Sequence, residues 1–102
     1  MAVREQGEVL QCWLLRVRGR VQGVGYREAC VRRARATGIT GWVRNRMDDS
    51  VEALLQGAPL QLAAMIEWLR EGVPAACVED IEISKQAPPF HRYDGFERRP
   101  TL

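Results

Sequence analysis

A two-layer α/β sandwich is the fold class predicted by this sequence, and three observations predict it. Strand-type alternation and helix-type periodicity follow one another in the order strand, helix, strand, strand, helix, strand. The two helical stretches are each about three turns long, enough to cover one face of a small sheet and too little to cover two. The chain has 102 residues, 46% of them hydrophobic, which suits one domain with a single core.

The first strand is read at residues 12–18, where Trp13, Leu15 and Val17 share one side and Cys12, Leu14, Arg16 and Arg18 the other. Residues 19–25 then hold Gly19, Gly23 and Gly25, which end the strand in a loop. Over 26–37 the period changes: Tyr26, Cys30 and Ala34 recur every four residues with Val31 beside them, and Gly38 stops the helix. Alternation returns at 40–46 through Trp42 and Val43. Met47-Asp48-Asp49-Ser50 supplies turn chemistry, and 51–56 places Val51, Ala53 and Leu55 on one face, so the two strands form a hairpin. Pro59 opens a second helix whose stripe is Leu62, Met65, Ile66 and Leu69, ended by Gly72 and Pro74. A fourth strand at 76–84 would put Cys77, Ile81 and Ile83 on a common face. After the break at Ala87-Pro88-Pro89, residues 93–99 can add a short C-terminal strand through Phe96. This order predicts a ferredoxin-like βαββαβ sandwich with an antiparallel sheet. Residues 1–11 are expected to be a flexible extension, 12–99 the domain, and 100–102 a tail.

The composition excludes several function classes. No run of about 18 apolar residues exists, and the polar N-terminus resembles no signal peptide, so membrane insertion is not expected and the cytoplasm is the default location. Cys12, Cys30 and Cys77 fit no metal or redox spacing. They are expected to be buried structural thiols, with a Cys12 to Cys77 disulfide only in an oxidising compartment. A formal net charge of +2 is too mild for a nucleic-acid binder. The basic side chains do cluster early, at Arg16, Arg18, Arg20, Arg27, Arg32, Arg33 and Arg35, which could make one end attractive to a small anion.

The informative segment is Gly19-Arg20-Val21-Gln22-Gly23-Val24-Gly25-Tyr26-Arg27. It joins a buried strand to a helix N-terminus, where unpaired N–H groups and the positive end of the helix can meet an anion. Glycines allow successive amides to turn inward as a nest for phosphoryl oxygens, and Arg27 adds a permanently charged fork. A glycine-rich turn with no ligand is the plain alternative. The segment is neither a P-loop, since no Gly-Lys-Ser or Gly-Lys-Thr follows, nor a dinucleotide fingerprint, since the acidic residue about 20 positions on is missing.

The same segment resembles the acylphosphatase signature: glycine, any residue, Val-Gln-Gly-Val, any residue, aromatic, Arg. Gly41-Trp42-Val43-Arg44-Asn45 resembles the strand that follows in that family, and Asp48-Asp49-Ser50-Val51-Glu52 with Gln56-Gly57 resembles its hairpin. The likeness runs from Trp13 to Arg98. It implies a ferredoxin-like enzyme that hydrolyses acyl phosphates to a carboxylate and inorganic phosphate, with no metal and no cofactor. It also implies that the amides of Gln22, Gly23, Val24, Gly25, Tyr26 and Arg27 bind phosphate with the Arg27 guanidinium, while Asn45 orients the attacking water. Tyr26 stands where phenylalanine is usual, so its hydroxyl needs a partner. Asp49 stands where relatives often carry glycine.

His91 lies in a loop after the prolines with no evident partner and is read as a surface or packing residue. Trp13, Trp42 and Trp68 are too scattered for a base-stacking platform. A nucleic-acid-binding module would need aromatics on its central strands, and residues 51–56 have none. The remaining rival is a non-catalytic phosphate- or carbamoyl-phosphate-sensing domain, of the kind attached to larger proteins. A chain of one domain favours the free enzyme, expected to act as a monomer on a small acyl phosphate.

Overall fold

The computed structural model describes residues 9–102. Its elements are β1 (Gln11–Arg20), α1 (Tyr26–Thr37), β2 (Thr40–Asn45), β3 (Val51–Gly57), α2 (Pro59–Glu71), β4 (Cys77–Lys85) and β5 (Phe96–Arg98). They form one five-stranded sheet in the order β4-β1-β3-β2-β5. The first four strands make the predicted antiparallel ferredoxin-like sheet, and β5 adds a parallel partner to β2, so the complete sheet is mixed. The expected N-terminal extension lies mostly outside the described residues. Gln11, placed in that extension by the sequence reading, pairs with Gly57 and belongs to β1.

Both helices lie on one face. Trp13, Leu15 and Val17 of β1, Val43 of β2, and Val51, Ala53 and Leu55 of β3 meet Tyr26, Cys30, Val31 and Ala34 of α1 and Leu62, Met65, Ile66 and Leu69 of α2 in one buried cluster. Each helix ends as its sequence directs. Gly38 adopts φ 78° past the end of α1, and the next amide, Ile39 N–H, donates to the Ala34 carbonyl at 2.9 Å. At the start of α2, Pro59 needs no N–H acceptor, and Gln61 Oε1 accepts from the Ala58 N–H at 3.0 Å.

Strand β4 departs from the expected alternation. The β1 register runs Arg18 opposite Asp80 and then Gly19 opposite Val78, which leaves Glu79 as an extra bulged residue. A bulge reverses which side chains face inward. Val78 therefore packs against the core and Cys77 is exposed, while Ile81 and Ile83 keep their common face opposite Val17 and Leu15, Ile81 buried and Ile83 42% exposed. Gly19 makes the bulge possible: its φ is 128°, and a Cβ there would collide with the Cys77 carbonyl. Gly19 and Arg20 thus belong to the strand, and the loop begins at Val21.

The expected set of buried thiols holds for Cys12 and Cys30 and fails for Cys77, and all three are free. Cys77 pairs opposite Arg20, eight residues along β1 from Cys12 and therefore roughly 26 Å away, so those two cannot be bridged. Burial pushes the Cys30 thiol up to about 12, which makes it inert.

The second face of the sheet carries a covering at one end only. Gln56 is buried there, accepting from the Tyr93 N–H at 3.0 Å and donating to the His91 carbonyl, which holds the 86–95 connection across the sheet. At the other end, residues 99–102 are no free tail. Arg99 N–H donates to Val43 O, Leu102 N–H to Asn45 O, and Met47 N–H to Leu102 O, continuing the β5 pairing alongside β2. Among the described residues, no helix is long and apolar enough to cross a membrane.

Candidate active site

The antiparallel register brings the ends of β1 and β2 and the start of β3 to one edge of the sheet. That edge carries residues 21–25 between β1 and α1 and the turn between Asn45 and Val51. It is the crevice outside the carboxyl ends of two parallel strands, here β1 and β2 separated by β3, where open α/β sheets place ligands.

The loop is shaped by two left-handed glycines, Gly23 at φ 75° and Gly25 at φ 81°. Both are exposed, and nothing lies within 4 Å of where their Cβ atoms would stand, so the space above the loop is open. Helix α1 has no side chain capping its N-terminus. Its first intrahelical amide bond runs from Ala29 N–H to Gly25 O at 3.0 Å. Among the described residues, no backbone carbonyl accepts from the N–H groups of residues 22–28. Left-handed turns alternating along a run of unpaired amides make a concave anion site at a helix N-terminus.

The side chains of this loop divide by role. Val21 is fully buried and Val24 packs against the core, which pins the loop to the domain. Tyr26 points inward, and its hydroxyl donates to Leu69 O at 2.8 Å, supplying the partner that a tyrosine at this position needs. Burial pushes that hydroxyl well above its ordinary range, so the ring is core and only the Tyr26 N–H remains for the site. Gln22 is likewise spent on structure at its side chain. Its Nε2 donates to Arg46 O and Ser50 O, each at 2.9 Å, and so ties the loop to the hairpin.

Arg27 is half-buried and has no acidic partner among the described residues. The neighbouring acid of the first helical turn, Glu28, is occupied by Arg98, whose Nη1 donates to Glu28 Oε1 at 3.3 Å. Among the described residues, the positive field of Arg27 and the helix end is therefore left uncompensated. Asn45 closes β2 opposite Val51. Its Oδ1 is buried and has no hydrogen-bond partner. A buried amide oxygen without a donor is costly, and one at a site edge is suited to accept from a bound water or hydroxyl.

Other sequence candidates lie elsewhere. His91 is exposed and stacks edge-on to Tyr93, 4.5 Å between centroids, at the Gln56 end of the sheet. A cavity of about 580 Å³ at that same end is lined by Gly38, Thr40, Gln56, Gly57 and Tyr93, far from Asn45 along β2 and β3. Of the early arginines, Arg16 lies on the uncovered sheet face with Arg44 and Arg46, all turned toward Glu52. Arg44 Nε approaches Glu52 Oε1 at 2.8 Å, Arg46 Nη1 the same oxygen at 3.1 Å, and Arg16 Nη2 approaches Oε2 at 3.7 Å. The side chain of Gln22 was missed as a contributor to the site: its partners lie 24 and 28 residues away, so no local pattern marks it, whereas Asp48 and Ser50 act within the turn that their short side chains predict.

Comparison with known proteins agrees with this geometry. The acylphosphatase family pattern matches residues 13–98. Acylphosphatase 1 of Ralstonia nicotianae is 64% identical over 102 residues, covering all of both chains. The acylphosphatase of Polaromonas naphthalenivorans is 56% identical, covering 96% of this chain and 97% of its own. The solved structure of an acylphosphatase from Coxiella burnetii superposes with a TM-score of 0.82 at 33% identity, covering 93% of this chain and 96% of that one. With a match across most of the domain in both sequence and fold, the chain belongs to the acylphosphatase family of enzymes.

Proposed function

We propose that the acyl-phosphate hydrolysis of this family member runs through Arg27 and Asn45 at the edge formed by β1, β2 and α1. The single observation that carries this assignment is the coincidence of two features: a nest of amides beside Arg27, neither with a partner among the described residues, and the buried, partnerless Oδ1 of Asn45.

The phosphoryl group of the substrate enters the nest, where the N–H groups of Gln22, Gly23, Val24, Gly25, Tyr26 and Arg27 and the Arg27 guanidinium surround its non-bridging oxygens. These donors are fixed before the substrate arrives. They stabilise charge on the transferring phosphoryl group without reorganising, the largest electrostatic contribution an enzyme of this kind can make. Asn45 holds a water through Oδ1 and aims it in line with the bond to the acyl oxygen. The water oxygen bonds to phosphorus, the phosphorus–acyl oxygen bond breaks, and the carboxylate departs with the electron pair. The proton from the water passes to a phosphate oxygen or to solvent. A carboxylate is a weak base and needs no general acid, which fits a site lacking histidine and paired carboxylates.

The same reading describes a monomeric cytoplasmic enzyme. Three free thiols, one of them exposed, suit a reducing compartment. The free edge strand β4 carries Glu79, Asp80, Glu82 and Lys85, charges that oppose edge-to-edge pairing.

Hydrolysis of benzoyl phosphate by the parent and by Asn45→Ala, with inorganic phosphate binding followed in parallel, tests the assignment. The variant should lose about 100-fold or more in kcat and keep its phosphate affinity within a few-fold. Parental kcat in folded Asn45→Ala would remove Asn45 from the mechanism. Phosphate binding with no turnover by the parent would turn the reading toward a phosphate-sensing domain.

A further inference from the structure

The Gln22 carboxamide stands between the two halves of the proposed site. Its Nε2 reaches out of the glycine loop and donates to both Arg46 O and Ser50 O, at 2.9 Å each. Those carbonyls flank the first pair of the β2–β3 turn, in which Arg46 N–H itself donates to Ser50 O at 2.8 Å. The residue before Arg46 is Asn45. One amide group thus closes a bridge from the phosphate nest, through the turn, to the backbone that carries the water-orienting side chain.

Other ties hold the turn and the end of β2, but none of them reaches the nest. Asp48 accepts from the Ser50 N–H and hydroxyl, which shapes the turn internally. The Leu102 N–H donates to Asn45 O at 3.2 Å from the side of β5. Arg44 and Arg46 grip Glu52 on the opposite face of the sheet. Only Gln22 spans from the loop to the turn among the side-chain hydrogen bonds of the described residues.

We propose that Gln22 is a positioning residue, whose side chain sets the distance between the phosphoryl group in the nest and the water held by Asn45. The inference rests on the roles proposed above for the nest and Asn45. Gln22 acts through Asn45 and touches no reacting atom with its side chain. Its backbone N–H serves the nest independently of the carboxamide, so binding and alignment are carried by different atoms of one residue. In-line attack is sensitive to displacement of about 1 Å, which can cost on the order of 100-fold in rate, whereas several donors sharing one phosphate tolerate the same shift with little loss of affinity.

A double-mutant cycle reads this directly. Gln22→Met keeps the length of the side chain and removes the donor. Its kcat on benzoyl phosphate should fall about 10- to 100-fold, with inorganic phosphate affinity within about twofold of the parent. In the Asn45→Ala background, where no water is held, Gln22→Met should change kcat by less than about twofold. Equal losses in both backgrounds, or loss of phosphate affinity with kcat preserved, would overturn positioning in favour of a general structural role. An unchanged kcat for folded Gln22→Met would overturn it outright. If Asn45→Ala alone retains kcat, the assignment of Asn45 has failed and the positioning role falls with it. If Asn45→Ala loses kcat and Gln22→Met does not, only the role of Gln22 has failed. Should Gln22→Met not fold, Gln22→Leu takes its place in the same cycle, since it too removes the donor without adding a charge beside the nest, and the same criteria apply.

Discussion

Arginines gather in two parts of this molecule and meet opposite electrostatic conditions. On the uncovered face of the sheet, Arg16, Arg44 and Arg46 converge on Glu52, whose side chain is 8% exposed, and Arg16 also donates to Asp48. At the edge of the sheet, Arg27 stands beside a row of unpaired amides, with the nearest acid of its helix held by Arg98. The first group is the denser accumulation of positive charge, and it is met in part by a carboxylate that arrives from the directly opposed position on β3, with Asp48 beside Arg16 and the Arg16 Nε left buried without a partner. The second has one guanidinium and its field is unspent. A cluster of like charges marks a binding site only when the fold leaves it without a partner.

The sharpest way to break this contrast is Arg27→Ala. It should lower kcat/KM for an acyl phosphate about 1000-fold, roughly 4 kcal/mol of transition-state stabilisation, with the thermal unfolding midpoint within a degree or two of the parent. Steady-state kinetics beside a melting curve decide it, and near-parental turnover in the folded variant would move the site elsewhere. The converse change is Glu52→Gln. Removing the shared carboxylate charge should cost about 2 kcal/mol of stability in urea unfolding, less than for a fully buried pair because the arginines remain 20% to 28% exposed. Its kcat should stay within about threefold. A collapse of turnover comparable to that of Arg27→Ala would show that the Glu52 cluster is itself catalytic.

A smaller effect of opposite sign is expected at the turn that joins the two regions. Asp49 adopts φ 73°, a left-handed conformation that glycine takes without steric cost. Asp49→Gly should therefore stabilise the fold by about 0.5 kcal/mol, read as a higher denaturant midpoint, despite the greater freedom of glycine in the unfolded chain. The smallest effect concerns Asp48. Hydrogen bonds from the Ser50 hydroxyl and then the Ser50 N–H, helped by nearby Arg16, hold its carboxyl below the ordinary range. A depressed folded pKa gives stability that is present above the unfolded value of about 3.9 and lost as pH falls through the lower folded value. The stability gap between the parent and Asp48→Ala should be constant above about pH 5 and narrow below about pH 4. A gap that widens in acid would show that the turn is held by something other than this carboxylate.

Much of this organisation is legible in the chain. The inward faces of β1 and β3 follow from strict alternation. The inward face of α1 follows from the four-residue recurrence of Tyr26, Cys30 and Ala34, and its end from Gly38. The glycine spacing of residues 19–27 marks the loop, its likeness to a known signature makes Arg27 a candidate, and the separate likeness of residues 41–45 to the strand that follows makes Asn45 another. Strand β4 is where reading by period fails: one bulged residue, Glu79, turns Val78 inward and Cys77 outward, and its cause is the close approach of Gly19 from another strand. The tail fails for a similar reason, since residues 100–102 read as a free C-terminal tail and Leu102 instead pairs through its backbone with Asn45 and Met47.

Local sequence fixes the element order, the core faces of β1, β3 and both helices, and the short-range chemistry of the glycine loop. Each of these depends on residues one to four positions apart, a range over which backbone geometry dictates which side chains share a face. Tertiary structure alone decided which polar groups would be satisfied. Glu52 is shared by one set of arginines, Gln22 reaches 24 and 28 residues onward to two carbonyls, and among the described residues Arg27 meets no acid and the Asn45 oxygen no donor. Pairing across such separations depends on strand register and on where the chain returns in space, and a hydrogen bond made at that distance leaves no periodic trace in the sequence that makes it.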